Sequence, residues 1–199
     1  MAVLFYTQIR QATVARRSRT RSSLQSGVTL IEILVAVVVL GIGVLGALAL
    51  QGTAKRGNLE AFQRTQAVLI ARDLAERMVS NRTADLDSYQ GTYTGSTVTT
   101  FSDCLGLDSC TPEQMVSWDL YQFDQAIKGG SEVRGDRDTG ALINAEGCVS
   151  HTAGLIQIVL VWKGVRLGAT PVSPIAGCGS DISAKERRMF VFTTFVGAN

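Results

Sequence analysis

A single carboxylate stands directly ahead of a long uncharged stretch near the start of the chain. Glu32 closes the sequence GVTLIE at residues 27–32, and the next charged residue is Lys55. An acidic side chain carried toward the centre of a membrane costs about 2.5 kcal/mol or more. A carboxylate at this position is therefore expected to have a cationic partner or a function, and Gly27 marks a candidate point of cleavage just before it.

The stretch that follows Glu32 has the length of a membrane span. Residues 33–50 read ILVAVVVLGIGVLGALAL, which is 18 residues without a charge or an amide side chain. As a helix they would extend about 27 Å, close to the hydrocarbon thickness of a bilayer. A buried core helix is the alternative, but unbroken apolarity of this length suits lipid better. We expect a transmembrane segment over about residues 31–50.

The basic charge of the chain is concentrated ahead of this segment. Residues 1–27 contain five arginines and no acidic residue, so their removal changes the formal net charge from +2 to −3. Positive charge beside a span stays on the cytoplasmic side, which predicts that everything after Leu50 is exported. A remainder at −3 also argues against nucleic-acid binding by bulk electrostatics.

Residues 1–50 fit three kinds of targeting segment, each with a different mature N-terminus. An uncleaved signal anchor keeps the whole segment, and an ordinary signal peptide would be cut after Ala49, where Ala47-Leu48-Ala49 has the small-x-small pattern. The apolar region is too long for an ordinary signal peptide, which uses about 7 to 15 residues. In the third kind the chain is cut before the apolar run, after Gly27.

The residues around Gly27 resemble the class III leader of type IV prepilins and pseudopilins. That leader reads Gly, Phe, Thr-Leu-Ile-Glu and then an apolar helix, and the chain departs from it only in having Val28 at the Phe position. The resemblance implies that a prepilin peptidase cuts between Gly27 and Val28 and methylates the new amine of Val28. It also implies that Glu32 pairs with the N-terminal amine of a neighbouring subunit during assembly.

The remaining sequence predicts an α+β protein. Apolar residues at helical spacing continue beyond the apolar run, which predicts one helix from about Thr29 to Ser80. We predict strands at Leu155–Trp162 and Met189–Val196 and weaker ones at Thr92–Phe101 and Ser117–Phe123. The expected organisation is a leader (1–27), a long helix (28–81) and a β-rich exported head (82–199). This order agrees with the pilin fold, in which the helix packs on a small antiparallel sheet.

The head also resembles, more specifically, the PilV family of minor pilins, known as type IV pilus modification proteins. The resemblance lies in Trp162-Lys163-Gly164, Cys178-Gly179 and Arg187-Arg188 before a closing strand. It implies a bacterial inner-membrane protein with a periplasmic head that enters the pilus or its tip. Its expected partners are prepilin peptidase, other pilin subunits and the pilus assembly platform, with no small-molecule substrate. The alternatives are a type II secretion pseudopilin and a signal-anchored periplasmic binding or enzymatic domain.

Four cysteines in an exported head are expected to form disulfides, because that compartment is oxidising. They allow three pairings, of which we favour Cys104 with Cys110 and Cys148 with Cys178. The first pair closes a small local loop. The second would join the loop before one strong strand to the segment leading into the other.

Catalytic and metal-binding chemistry has little support in the sequence. His151 is the only histidine, so any Ser-His-Asp or Cys-His enzyme must use it. Cys148, three residues earlier, could be drawn with His151, Cys104 and Cys110 as a zinc site, but the spacings fit no common zinc pattern. We expect no catalytic residue, no metal and no cofactor, and a protein that is not an enzyme.

Overall fold

A long N-terminal helix leads into a small α+β head. The structure, a computed structural model, describes residues 27–106, 109–129, 133–134, 137–138, 142–168 and 171–196. Helix α1 spans Leu30–Ser80 and helix α2 spans Pro112–Lys128, with a 3-10 turn at Leu86–Tyr89. The strands are β1 (Gly91–Tyr93), β2 (Val133–Arg134), β3 (Arg137–Asp138), β4 (Glu146–Thr152), β5 (Leu155–Lys163) and β6 (Arg187–Phe195).

Strands β1, β4, β5 and β6 form one antiparallel sheet in the order β1-β4-β5-β6. Strands β2 and β3 form a separate two-stranded sheet. Strands β4 and β5 are joined by a tight turn at Ala153-Gly154, and both residues have positive φ. The longest pairing is that of β5 with β6, which runs from Leu155 opposite Phe195 to Lys163 opposite Arg187. The expected fold class, a long helix with a small antiparallel sheet, is confirmed.

The chain divides into two compact units, up to Gly46 and from Ala47 onward. In the first unit, the described residues 27–46 are solvent-exposed throughout. Within the described part of the chain, α1 is the helix that is long and apolar enough to cross a bilayer. Its most apolar 18-residue window has a mean hydropathy of 3.0. The exposure of its apolar side chains is what a lipid-facing helix requires.

In the second unit, α1 and α2 cover one face of the sheet. Alternate residues of β5 point into this core, because side chains along a strand alternate between faces. The core is formed by Ile156, Ile158, Leu160 and Trp162 of β5, Ala67, Ile70, Ala71, Leu74 and Met78 of α1, and Val116, Phe123 and Ile127 of α2. Gly147 on β4 permits the close approach of α2, since a Cβ there would lie 2.6 Å from Ile127 Cδ1.

The other face of the sheet is buried too, beneath the segment that precedes β6. Val159 and Val161 of β5 pack there with Cys148, Cys178 and Ile182. Burial on both faces explains why β5 reads as an almost continuous apolar run instead of an alternating one.

The weaker strand predicted at Ser117–Phe123 is wrong, because these residues lie within α2. Thr111 caps this helix: its Oγ1 accepts a hydrogen bond from Gln114 N–H, and Gln114 Oε1 accepts one from Thr111 N–H. Pro112 follows the cap, where its missing N–H has no helical partner to lose. The aromatic residues suggested a strand, but the capping sequence and the helical spacing of the buried residues prevail.

Two further differences concern the strands around the core. Of the weak strand predicted at Thr92–Phe101, only Thr92 and Tyr93 are in a strand, as part of β1. Thr97 and Val98 instead donate their N–H groups to the buried carboxylate of Asp124. Cys148, expected in a loop, lies within β4, where it pairs with Thr92 and Val159.

Candidate functional site

The residues around the expected cleavage bond form a short segment ahead of the first helical turn. Gly27, Val28 and Thr29 precede α1 without regular secondary structure, and Val28 is 65 % exposed. Apart from its chain neighbours, no described residue lies within 4 Å of where a Cβ on Gly27 would be. Such an open, non-helical segment is accessible to a peptidase, whereas a peptide bond inside the helix is not.

Thr29 forms the start of α1. Its carbonyl oxygen accepts from the N–H groups of Glu32 (3.1 Å) and Ile33 (3.3 Å), and its hydroxyl oxygen lies 3.4 Å from Glu32 N. Thr29 therefore acts as the N-terminal cap, and Thr-x-x-Glu is the sequence pattern of a capping box. This role was not recognised in the sequence, although the pattern is visible at residues 29–32.

Glu32 lies in the first turn of α1 and is exposed. The neighbouring positions at helical spacing, Val35, Ala36 and Val39, make the surface around it apolar. A negative charge near a helix N-terminus is favoured by the helix dipole. Of the residues that the structure describes, none forms an ion pair with Glu32. A cation that pairs with this carboxylate would have to come from outside the described residues.

The basic leader lies outside the described residues. This includes Arg10, Arg16, Arg17, Arg19 and Arg21 and the residues up to Ser26. Gly27 is thus the first residue of the expected cleavage site that the structure describes.

All four cysteines form disulfides. Cys104 is bonded to Cys110 with a Cα–Cα distance of 5.9 Å, and Cys148 to Cys178 with 6.2 Å. The second bond joins β4 to the segment before β6 and is almost fully buried. Glu146 lies near both sulfurs of this bond. Since a disulfide has no thiolate to offer, this cluster is not a set of metal ligands.

His151 is held by both of its ring nitrogens. Nδ1 lies 2.7 Å from the Asp87 carboxylate, and Nε2 accepts a hydrogen bond of 3.0 Å from Gly154 N–H. With Nε2 as acceptor, the neutral ring carries its proton on Nδ1 and donates it to Asp87. Neither nitrogen is available to activate a nucleophile or bind a metal in this arrangement. The contacts tie the β4–β5 turn to the segment after α1.

A buried polar cluster at the end of α1 was missed in the sequence. Asp119 on α2 is 2 % exposed, and its carboxylate accepts hydrogen bonds from Tyr89 (2.8 Å) and Arg77 (3.4 Å). Burial raises the pKa of Asp119 above its usual value, although these two hydrogen bonds oppose the shift. Arg77 also pairs with Asp73 at 2.8 Å. Nothing in the sequence alone brings α1, the 3-10 turn and α2 together at this point.

This cluster borders a cleft of about 550 Å³ between the last turns of α1 and the start of α2. Asp73, Arg77, Asp119, Cys110 and Pro112 are among the residues that line it. The carboxylate oxygens of Asp119 are already hydrogen-bonded within the protein. Their role is therefore structural: they hold α2 against the end of α1.

Two family comparisons match adjoining parts of the chain. Residues 22–48 match the prokaryotic N-terminal methylation motif, and residues 49–121 match the family described as type IV pilin Tt1218. Together they run without a gap over about half of the chain, through Thr29, Glu32, the whole of α1 and half of α2. No curated protein and no solved structure matches the chain. With its methylation motif, its apolar N-terminal helix and its antiparallel sheet, the chain is a type IV pilin-like protein.

Proposed function

We propose that the protein is a minor type IV pilin that is made as a prepilin and takes part in pilus assembly. In this proposal prepilin peptidase cuts between Gly27 and Val28 and methylates the amine of Val28. The match to the methylation motif supports this, as does the exposed, non-helical segment at residues 27–29. Val28 replaces the usual Phe, so the new N-terminus has a smaller apolar side chain.

The observation that carries the proposal is the position of Glu32. Its carboxylate has an apolar surround on the helix and no ion-pair partner among the described residues. The N-terminal amine of a neighbouring subunit, four residues before its own Glu32, is a cation of suitable position. In a low-dielectric environment the pairing offsets the desolvation of both charges, which neither could bear alone.

The assignment to the PilV type of minor pilin is supported by how its characteristic residues meet. Trp162 on β5 pairs with Arg188 on β6, and Lys163 pairs with Arg187. Gly164 lets the Arg188 side chain lie against the backbone, since a Cβ there would be 2.8 Å from Arg188 Cγ. Residues that are distant in sequence thus form one structural unit at the end of the sheet.

We assign the head a structural role without catalysis. The only histidine is held at both nitrogens, and the four cysteines are bonded to one another. Before assembly the helix lies in the inner membrane with the head in the periplasm, and the subunit then enters the filament or its tip.

Replacing Glu32 by Ala in the producing cells tests the proposal. We expect normal membrane insertion but loss of pili and of twitching motility, with Glu32→Gln equally defective because it lacks the charge. Glu113→Ala is a matched control, since Glu113 is also an exposed acid in the first turn of a helix. Loss of protein secretion with intact pili would identify a type II secretion pseudopilin. Unchanged piliation and secretion in Glu32→Ala would refute assembly through this carboxylate.

A further inference from the structure

The segment after β5 reaches back to α1 and is fixed there by several hydrogen bonds. Arg166 N–H donates to Glu60 Oε1 (3.1 Å), and Arg166 Nη2 donates to the carbonyl oxygen of Thr53 (3.4 Å). Arg188 Nη2 bridges the two, at 2.6 Å from Arg166 O and 3.3 Å from Glu60 Oε1. Gly168 N–H donates to Lys185 O, which closes residues 164–168 into a compact loop.

This loop is attached where the apolar run ends. Thr53 is three residues after Leu50, a rise of about 4.5 Å along the helix. If α1 crosses the bilayer as far as Leu50, the guanidinium of Arg166, which reaches Thr53, lies at the level of the headgroups, since the interfacial region is several ångströms deep on each side. The backbone of the loop follows just outside that region, because Arg166 N–H is bonded to Glu60, ten residues or about 15 Å beyond Leu50.

The side chains at this level have the character of a membrane interface. Leu167 at the tip of the loop is 71 % exposed, and Val165 is exposed beside it. Lys55 and Arg56 are exposed on α1, as is Arg166 on the loop. No acidic residue occurs from residue 33 to 59 or from residue 164 to 180.

We propose that the loop 164–168, together with Lys55 and Arg56, docks the head onto the membrane by binding the headgroups of anionic phospholipids. The inference rests on the proposed insertion of α1 and extends it from the helix to the head. Leu167 enters the interfacial region, while the three basic side chains meet the phosphate groups with their aliphatic stems along the apolar boundary.

Charge complementarity decides in favour of lipid as the partner. Basic residues beside an anionic membrane each increase binding about fivefold, and the effect ends within a Debye length of the surface. Glu60 does not cancel the patch, because its charge is balanced by the ion pair with Arg188 at 3.3 Å. The contact would hold the head in a defined orientation until the subunit leaves the membrane.

Fluorescence quenching in nanodiscs tests the proposal with the full mature chain. A thiol-reactive fluorophore is placed on Leu167→Cys, and the nanodiscs contain lipids with a nitroxide at the headgroup. Native cysteines do not react because all four are in disulfides. Phe195→Cys is the matched control: Phe195 is 66 % exposed but stands eight residues along β6 from Arg187, about 27 Å away.

We expect strong quenching at position 167 and background quenching at position 195. Quenching at 167 should increase when phosphatidylglycerol is added to phosphatidylcholine. The double change Lys55→Gln and Arg56→Gln should remove most of that increase and lower the ratio of docked to free loop roughly 25-fold. Background quenching at position 167, or quenching there that does not increase with phosphatidylglycerol, would overturn the proposal.

A label on Val38→Cys, within the apolar run, tests the insertion of α1 separately from the docking of the loop. Quenching of this label by nitroxides on the acyl chains is expected if α1 is inserted. Quenched Val38 with unquenched Leu167 rejects the docking loop and leaves the membrane helix intact. Unquenched Val38 rejects both.

Discussion

The hydroxyl oxygen of Thr29 lies 3.4 Å from the backbone nitrogen of Glu32, so the residue that starts α1 also supports the turn that carries the carboxylate. Replacing Thr29 by Ala removes this cap, a change that typically destabilises a helix end by about 0.5 to 2 kcal/mol. The first turn should open more often, and exchange of the Glu32 amide hydrogen should accelerate by roughly 2- to 30-fold.

Hydrogen-exchange NMR of the mature chain in detergent micelles measures this effect. Thr29→Ser keeps the hydroxyl group and should exchange at nearly the wild-type rate. Equal rates in Thr29→Ala and Thr29→Ser would show that the hydroxyl does not support this turn.

The buried carboxylate of Asp119 makes the stability of the head depend on pH. Burial raises its pKa, so the folded protein binds a proton more readily than the unfolded chain. Above the raised pKa the ionised carboxylate therefore lowers the free energy of unfolding. This loss of stability disappears as the pH falls toward about 4, the usual pKa of the group in the unfolded chain. Arg77 and Asp73 of α1 and Tyr89 of the 3-10 turn face the same group.

Thermal unfolding of the wild type and of Asp119→Asn between pH 7 and pH 4 tests this dependence. As the pH falls, the difference in melting temperature should shift in favour of the wild type, since only the wild type takes up the proton at this position. Other groups titrate in both proteins and cancel in the comparison. If the difference in melting temperature instead shifts in favour of Asp119→Asn as the pH falls, the pKa of Asp119 is lowered in the folded protein.

Asp124 holds a turn of the head by three backbone hydrogen bonds. Its carboxylate accepts from the N–H groups of Gly95 (2.7 Å), Thr97 (2.7 Å) and Val98 (2.9 Å), and the residue is fully buried. Asp124→Asn places an amide NH2 group against one or two of these donors. We expect a loss of about 2 to 4 kcal/mol in the free energy of unfolding, because buried donors remain unsatisfied.

Asp85→Asn is the control for this change in a denaturant titration. Asp85 also accepts a backbone N–H, from Asp87, but it is exposed and asparagine caps equally well at such a position. Its effect should be below about 0.5 kcal/mol. An equally small effect of Asp124→Asn would contradict the assigned role of the carboxylate.

The two disulfides should differ in what they contribute to stability. A bond between residues 30 apart restricts the unfolded chain more than one between residues 6 apart. Chain-entropy estimates give about 3.5 kcal/mol for Cys148–Cys178 and about 2 kcal/mol for Cys104–Cys110. Replacing both members of each pair by Ser and comparing thermal unfolding tests this order, and mass spectrometry of unreduced peptides tests the pairs themselves. A Cys104–Cys178 peptide would contradict both.

What the sequence predicts well here is what depends on local pattern. The apolar run, the acid at its edge and the two long strands β5 and β6 are visible because each is defined by consecutive residues. The wrong strand at Ser117–Phe123 arose from aromatic residues that favour strands on average but here follow a Thr111–Gln114 capping box. Intrinsic strand preference is weak, and packing against the sheet decides the outcome.

The polar contacts of the head depend instead on residues far apart in the chain. Asp119 meets Arg77 across 42 positions, and Arg188 meets Glu60 across 128. Such pairs are set by the packing of α1 on the head, and a charged residue in one sequence does not reveal its partner. The same holds for the loop around Leu167, whose contact with Thr53 is what relates it to the membrane helix.

The N-terminal residue of the protein in the membrane fraction tests the central claim most directly. Edman degradation, with the intact mass, distinguishes the possible processing products. We expect N-methylated Val28 as the first residue, with Glu32 as the fifth. A chain that begins at Leu50, or one that keeps the leader before Gly27, would contradict processing as a prepilin.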